Sequence, residues 1–333
     1  LDRGIVPEEL ARTPERKQAD PLLIEIIREY SKGAPVAATD HEVLDVVARE
    51  VAGVRLSELT FVWCDAYVLN LKIAHNLAPG TIRKRVGSLA RAVDWYLRRA
   101  AVGGVMAANP LRLLPRGYST YTAADIEAGA TRKRDKYRDR RLSGDESRRI
   151  ESALAGEKRV GRERALEVDP AFSLLYALIV DTGLRLSEAF RLRVDSVDLR
   201  RGILDVEGSK GHHGAIKPRV VPLKPALREL LRQWCAGRVG LVFPFWDGSE
   251  ADKDLASGRL TSRFRVLFDY AEVDGFTQHD LRHEATCRWV EMRNATGWVF
   301  SETEVCKIMG WSDTRMMLRY ASLRGEDLAA RLA

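Results

Sequence analysis

The chain has 333 residues, enough for two domains of roughly 100–200 residues each. Hydrophobic residues make up 45% and charged residues 30% of the chain, a balance that is ordinary for a globular protein and excludes wholesale disorder. The net charge of +7 favours a polyanionic partner, because clustered Lys and Arg displace counterions from a phosphate backbone. No apolar run reaches the roughly 18–20 residues that span a bilayer, and the N-terminal residues lack a signal-peptide profile. We therefore expect a cytoplasmic protein without membrane association.

The cysteines and histidines show no metal-binding pattern. The chain has four widely spaced cysteines, Cys64, Cys235, Cys287 and Cys306. No two of them form a Cys-x-x-Cys pair, so we predict reduced, buried thiols and no zinc site. His212 and His213 have no further His or carboxylate at a spacing that would complete a metal site.

The N-terminal part of the chain reads as an extension followed by a helical domain. Residues 1–40 carry four prolines with mixed charge, and we interpret them as an N-terminal extension. Residues 41–130 have helical periodicity and predict an all-helical domain. Asp40 is a candidate N-cap for its first helix, residues 59–76 predict a second helix, and Thr81 is a candidate N-cap for a third.

The third predicted helix of this domain is basic and amphipathic. Its predicted buried stripe consists of Ile82, Val86, Leu89, Val93 and Tyr96. Its basic residues occupy other faces and include Arg83, Lys84, Arg85 and Arg91. Such a helix is a candidate for lying against DNA, and a solvated surface is an equal alternative.

A strongly basic segment, residues 131–141 (TRKRDKYRDRR), has no apolar periodicity. We interpret it as an interdomain linker that follows a phosphate backbone, with Arg132, Lys133 and Arg134 as candidate DNA-binding residues. Ser143 and Glu146 then form a capping-box pattern, which marks the start of a second domain over residues 142–333.

The second domain is predicted to be mostly helical with a small sheet. An apolar helix covers residues 171–180 and ends at Thr182 and Gly183. Residues 202–206 and 219–223 alternate as two strands of a hairpin, joined by the polar loop 207–218. A further helix follows Pro225, and residues 243–258 read as a loop. The predicted fold class is therefore mainly α with a small antiparallel β-sheet, in two domains.

Three short segments of this second domain stand out. They are TGLRLSE at residues 182–188, HDLRH at residues 279–283 and MGWSDTRMMLRYA at residues 309–321. In this order and spacing they resemble the signature of the tyrosine site-specific recombinases, the phage-integrase family. The resemblance covers residues 142–325, and residues 41–130 resemble the core-binding domain of that family loosely. The resemblance to this family implies that the two domains form a clamp around DNA.

The resemblance assigns a catalytic role to four of these residues. Arg185 and Arg282 match the two arginines of the family, His279 matches its histidine, and Tyr320 matches its nucleophile. Two guanidiniums suit this chemistry, because they offer permanently charged donor forks to the oxygens of a pentacoordinate phosphorus. Tyrosine has an ordinary pKa of about 10 and needs help with deprotonation, which a neighbouring histidine provides.

Further residues complete the implied site. Glu188 matches the acidic residue three positions after the first arginine and is expected to orient the arginine or the histidine. Asp280 and His283 are expected to have a supporting or structural role. Trp311 stands where most members have histidine and some have tryptophan; it donates an indole N–H or packs against the nucleophile segment. The general acid of the family is a hairpin lysine, for which Lys210 is the best match and Lys217 the rival.

The implied reaction needs no cofactor and no metal, because a phosphotyrosine bond conserves the energy of the broken linkage. The implied partners are double-stranded DNA at specific sites, a homotetramer on two sites that proceeds through a Holliday junction, and DNA-bending accessory proteins. The resemblance implies that the segment after Tyr320 docks on a neighbouring protomer, and packing within its own chain is an equal alternative. For the function of the whole protein, the alternatives to a recombinase are a type IB topoisomerase and a non-catalytic DNA-binding regulator.

Overall fold

The computed structural model describes residues 20–101, 107–135, 138–208, 218–295, 297–311 and 317. The chain divides into two compact units, residues 1–137 and residues 138–333. Each unit has a hydrophobic core of its own. The domain boundaries at residues 40, 130 and 141 stay predictions.

The first unit is built from helices. They are α1 (Leu23–Gly33), α2 (Ala38–Glu50), α3 (Phe61–Ile73), α4 (Pro79–Ala100) and α5 (Ala123–Glu127), with 3-10 turns at Leu56–Glu58 and Pro110–Leu113. Helix α3 is shorter at both ends than the predicted 59–76. Thr60 sets its start by accepting a hydrogen bond from the Trp63 N–H. Helices α1 and α2 pack against α4. The predicted stripe of α4 is buried except for Tyr96, which is half-buried.

Two predicted helix starts are wrong. Helix α2 has Ala37 as its N-cap, so Asp40 lies within the first turn. Helix α4 begins at Pro79, and Thr81 lies within its first turn. Proline suits the first helical position because its φ is already helical and its missing N–H is not needed there. Asp40 still stabilises α2, since a carboxylate in the first turn faces the positive end of the helix dipole.

The second unit combines seven helices with two small ladders over its described residues. The helices are α6 (Gly144–Leu154), α7 (Pro170–Thr182), α8 (Leu186–Phe190), α9 (Pro225–Cys235), α10 (Lys253–Tyr270), α11 (Gln278–Glu291) and α12 (Glu302–Met309). The strands are β1 (Val197–Asp198), β2 (Ile203–Val206), β3 (Arg219–Pro222), β4 (Arg293–Asn294) and β5 (Gly297–Trp298). This architecture confirms the predicted class, mainly α with a small antiparallel sheet.

The sheet has the order β1-β2-β3, and both of its strand pairs are antiparallel. The predicted hairpin of β2 and β3 is confirmed, with Leu204 opposite Val221 and both side chains fully buried. Strand β1 was not predicted, because two residues are too few to show alternation. The predicted loop at residues 243–258 is too long, since α10 begins at Lys253.

Helix α7 forms the centre of the second core and packs against α11. Gly183 ends it in the left-handed conformation, with φ of 70°, which glycine adopts without a Cβ clash. The capping box that begins α6 is confirmed: the Glu146 N–H donates to Ser143 Oγ at 3.1 Å, and the Ser143 N–H donates to the Glu146 carboxylate at 2.8 Å.

All four cysteines are buried and none forms a disulfide, as predicted. None of the helices within the described ranges is long and apolar enough to cross a membrane.

Candidate active site

Helix α11 carries His279 and Arg282 in its first turns. The Asp280 carboxylate accepts hydrogen bonds from the N–H and the hydroxyl of Thr277, at 2.7 and 2.8 Å, and so fixes the start of the helix. Residues three apart lie on one helix face, which places His279 and Arg282 together.

Main-chain carbonyls hold the guanidinium of Arg282, a residue that is only 3% exposed. Its Nη1 donates to the carbonyl of Gly183, and its Nη2 donates to the carbonyl of Met309 at 2.6 Å. These two residues stand at the ends of α7 and α12, where carbonyls carry partial negative charge. The Trp311 ring lies 5.9 Å from the guanidinium carbon, a cation–π distance. Arg282 is therefore preorganised.

Glu188 is a buried carboxylate that binds two arginines. Arg185 Nη1 donates to Glu188 at 2.9 Å, and Arg219 Nη1 and Nη2 donate to its two oxygens at 3.0 and 2.7 Å. Burial alone would raise the pKa of Glu188, but the hydrogen bonds and charges of Arg219 and Arg185 lower it to about 2. Glu188 is therefore ionised at neutral pH, and it holds Arg185, whose side chain stays 40% exposed.

The electrostatic surroundings of His279 favour its neutral form. Desolvation by the surrounding protein lowers the pKa of His279, and the charges of Arg282, Arg185 and Arg138 lower it further, against the opposing charge of Asp280. The charged groups of Arg282, Arg185, Arg138 and Asp280 therefore all lie near the imidazole of His279. A neutral imidazole can accept a proton, which is what a general base requires.

His283 lies behind this face and is only 3% exposed. Desolvation by burial lowers its pKa, the charge of Arg141 adds to this, and a hydrogen bond with the backbone of Asp139 opposes it. Its Nε2 is 3.8 Å from the sulfur of Cys287. The supporting or structural role of His283 stays a prediction.

Three predicted catalytic residues, Lys210, the rival Lys217 and Tyr320, lie outside the described residues. The predictions for His212, His213 and the segment after Tyr320 lie outside them too. Met317 is described; it is buried, with its sulfur 3.9 Å from that of Cys306.

The basic residues of α4 differ in their surroundings. Arg85 forms an ion pair with Glu50, and both side chains are largely buried, at 17% and 12% exposure. Arg83 pairs with Asp135 at 2.5 Å but remains 52% exposed, and Lys84 is exposed. Arg85 is thus part of the packing of the first unit, whereas Lys84 is open to a partner.

The basic residues of the 131–141 segment also fall into an exposed group and a group paired with carboxylates. Arg132, Lys133 and Arg134 are exposed, and Lys133 Nζ donates to the carbonyl of Asn76. The arginines near the end of the segment contact carboxylates instead: Arg138 binds Asp280, Arg140 binds Glu146, and Arg141 binds Glu284 and Glu291. This differs from the prediction that the whole of 131–141 follows a phosphate backbone, because carboxylates of the second unit already occupy these three guanidiniums.

The sequence analysis missed Arg219 and Arg138 as members of the site. Arg219 Nε also donates to the carbonyl of Ile308 at 2.9 Å, so it joins β3 to α12. One signal was present: Arg219 stands two positions before the buried Val221, and strand alternation places both side chains on the inner face. Nothing local marks Arg138, whose partner Asp280 is 142 residues away.

No group of three or more His, Cys, Asp or Glu side chains that could hold a metal ion occurs within the part of the chain that the structure describes.

Comparisons with known proteins identify the family. The phage integrase family matches residues 140–326, more than half of the chain. The shufflon-specific DNA recombinase of Escherichia coli is 29% identical over 195 residues, 59% of this chain and 43% of that protein. Tyrosine recombinase XerC of Pseudomonas fluorescens (strain Pf0-1) is 25% identical over 293 residues, 80% of this chain and 93% of that protein. The chain spans less than half of the shufflon recombinase, and only 40% and 41% of the XerA tyrosine recombinases of Pyrococcus furiosus and Thermococcus kodakarensis.

A solved structure shares the fold. The Tn1549 transposon integrase in complex with circular intermediate DNA matches with a TM-score of 0.62 at 16% identity, covering 94% of this chain and 99% of that one. The second unit brings Arg185 and Arg282 near enough to His279 for their charges to lower its pKa, and the buried Glu188 binds Arg185. With the family match over residues 140–326, the chain belongs to the phage integrase family. The resemblance to tyrosine recombinases is thereby confirmed.

Proposed function

We propose that the protein is a site-specific DNA recombinase that cleaves and rejoins double-stranded DNA through a 3′-phosphotyrosine link to Tyr320. The convergence of Arg185, His279 and Arg282 carries this proposal, since Glu188 holds the first and two carbonyls hold the last. The recombinase names of the relatives support it.

The arginines act on the charge that develops during cleavage. When the tyrosine oxygen attacks the scissile phosphate, the phosphorus becomes pentacoordinate and its non-bridging oxygens gain negative charge. Arg185 and Arg282 stabilise this charge without reorganising, because their positions are already set. Loss of one such preorganised donor typically costs about 2.7–4 kcal/mol in the transition state.

Proton transfers complete the proposed cycle. Neutral His279 accepts the tyrosine proton, and a hairpin lysine, Lys210, protonates the leaving 5′ oxygen. The 5′-hydroxyl of the partner strand then attacks the phosphotyrosine, which restores the P–O bond to DNA and frees Tyr320. Bond energy is conserved in the covalent intermediate, so the proposal includes no cofactor. Trp311, whose ring lies 5.9 Å from the Arg282 guanidinium carbon, donates its indole N–H to a phosphate oxygen or packs against the nucleophile segment.

The assembly is part of the proposal. Residues 41–130 form a core-binding domain, residues 131–141 a linker and residues 142–333 a catalytic domain, and both domains contact DNA. Four protomers bind two DNA sites and exchange strands through a Holliday junction. DNA-bending accessory proteins assist where the DNA site requires a bend. The reaction takes place in the cytoplasm.

Covalent trapping tests this function. The wild-type protein is incubated with labelled DNA fragments that flank its gene and with total genomic DNA, then denatured in SDS. A protein-linked fragment is expected, with phosphate attached to Tyr320 in the mapped peptide. DNA binding without an adduct on either source would support the regulator instead. Relaxation of supercoiled plasmid without strand exchange between two sites would indicate a topoisomerase.

We expect Lys210→Ala to slow DNA cleavage far more than Lys217→Ala does, on the order of 10²-fold or more, because general acid catalysis contributes about 10²–10⁴-fold. Single-turnover cleavage of the trapped fragment measures both variants. A leaving group with a lower pKa, such as a 5′-bridging phosphorothioate, should rescue only the variant that lacks the acid. The opposite ranking would assign the acid to Lys217.

Replacing Lys84 and Arg85 should separate DNA binding from stability. Lys84→Ala is expected to weaken DNA binding uniformly across sequences and to reduce its salt dependence, as the loss of one phosphate contact does. Arg85→Ala is expected to lower the free energy of unfolding of the first unit, because it leaves Glu50 without its buried ion-pair partner. Binding titrations at several salt concentrations and urea unfolding measure the two effects. Equal effects of the two variants on both quantities would contradict this division.

A further inference from the structure

The segment that begins the second unit, residues 138–142, runs along α11 through ion pairs. Arg138 Nε donates to Asp280 Oδ1 at 2.9 Å and its Nη2 donates to Oδ2 at 2.6 Å, a bidentate pair. Nη2 also donates to the carbonyl of Gly275 at 2.7 Å. The Asp280 side chain is 2% exposed and that of Arg138 is 45% exposed. A surface arginine therefore binds a buried carboxylate that is next in sequence to His279.

The same segment contacts α11 again further along. Arg141 Nε donates to Glu284 at 3.3 Å, Arg141 also pairs with Glu291, and the Leu142 N–H donates to Glu284 at 3.1 Å. Glu284 is only 3% exposed. Asp280, Glu284 and Glu291 recur at spacings of four and seven residues, so they share one face of the helix.

The catalytic candidates occupy the other side of α11. At about 100° per residue, His279 and Arg282 point away from the carboxylate face. Arg282 is anchored on that side by the carbonyls of Gly183 and Met309. The helix is thus held from two sides: by backbone carbonyls at its catalytic face, and by arginines of the 138–142 segment at its carboxylate face.

We propose that residues 138–142 form a positioning segment for α11, and that Arg138 is a positioning residue that holds the first helical turn so that His279 faces the scissile phosphate. This inference rests on the proposed recombinase function for its catalytic meaning. A misplacement of about 1 Å by a change remote from the reacting atoms can slow a reaction on the order of 10²-fold, so such a contact matters for rate.

The contact also has an electrostatic signature at His279. The charged groups acting on this imidazole are Asp280, Arg282, Arg185 and Arg138. Removing the charge of Arg138 leaves Asp280 less compensated, which favours the imidazolium and raises the pKa of His279. Removing the charge of Asp280 has the opposite effect. The pKa therefore reports whether Arg138 lies against the first turn of α11, and the cleavage rate of a variant that keeps the charge reports whether the contact positions His279.

The first test needs no DNA. The pKa of His279 is measured in the full chain by NMR titration of ¹³C-labelled histidine, with the resonance assigned from His279→Gln. We expect Arg138→Gln to raise this pKa and Asp280→Asn to lower it. Arg263→Gln is the matched control, because Arg263 has a similar 40% exposure and pairs with Asp169 at 2.9 Å but is not among the charges acting on His279. An unchanged His279 pKa in Arg138→Gln would overturn the proposal.

Arg138→Lys provides the second arm and covers the case in which Arg138→Gln does not fold. Lysine keeps the charge but loses the planar fork, so we expect a nearly unchanged pKa and a lower cleavage rate at saturating DNA, by about tenfold to 100-fold. An undiminished rate in this variant would exclude the positioning role. A shifted His279 pKa in a protein that forms no adduct on any DNA would instead leave the contact intact and reject the recombinase function.

Discussion

The Tyr320→Phe variant is expected to bind DNA as the wild type does and to form no covalent adduct. Phenylalanine keeps the ring and lacks only the oxygen that bonds to phosphorus. Removal of a nucleophile can reduce turnover by about 10⁶-fold in hydrolases, so the adduct should fall below detection. SDS-resistant adducts on labelled DNA measure the chemistry, and mobility-shift titration of the same fragment measures binding.

Tyr270→Phe is the matched control, because it removes a phenol oxygen from the same unit. The Tyr270 hydroxyl contacts the Arg159 N–H and the Glu157 carbonyl, at 3.0 and 3.3 Å, and has no proposed part in the reaction. This variant should keep the adduct. A wild-type yield of adduct from Tyr320→Phe would refute the nucleophile assignment, and peptide mapping would then identify the residue that forms the bond.

The Glu188→Gln variant is expected to destabilise the second unit by about 3–5 kcal/mol, the usual effect of breaking a buried ion pair. The Arg219 side chain is only 5% exposed and gives two hydrogen bonds to Glu188. An amide removes the negative charge and turns an N–H group toward the guanidinium, so a buried cation is left uncompensated. Urea unfolding measured by circular dichroism gives the change in the free energy of unfolding.

Glu229→Gln is the control for this experiment. The hydrogen bonds of Arg232 and Gln233 lower the pKa of Glu229 to about 2 as well, but its pair with Arg232 is on the surface. Exposed pairs contribute little, so this variant should unfold almost as the wild type does. Equal losses in the two variants would show that burial of the Glu188 pair has no special effect.

The same pair predicts a pH dependence. Glu188 has a folded pKa of about 2, below its ordinary value of 4.5, so its contribution to stability is complete above pH 4.5 and is lost as the pH falls towards 2. The free energy of unfolding of the wild type should therefore decrease more steeply over this range than that of Glu188→Gln. Parallel curves would mean that folding does not lower the pKa of Glu188.

Much of the fold followed from local patterns. The capping box at Ser143 and the glycine stop at Gly183 involve residues within a few positions of each other, so the sequence displays both partners. The hairpin of β2 and β3 followed from alternation for the same reason. The starts of α2 and α4 were misplaced because their N-caps, Ala37 and Ala78, form no side-chain capping hydrogen bond, so no capping residue in the sequence marks either start.

The sequence by itself determined which residue types the proposed site combines: Arg185, His279 and Arg282 stand in motifs whose residue types suit phosphoryl transfer. Only the tertiary structure decided which other charges serve that site. Arg219 and Glu188 are 31 residues apart, and Arg138 and Asp280 are 142 residues apart. An arginine in a sequence is equally suited to solvent, to a phosphate and to a carboxylate. The packing of distant helices decides among these, because it brings buried carboxylates within hydrogen-bonding distance of some guanidiniums and leaves other basic side chains exposed.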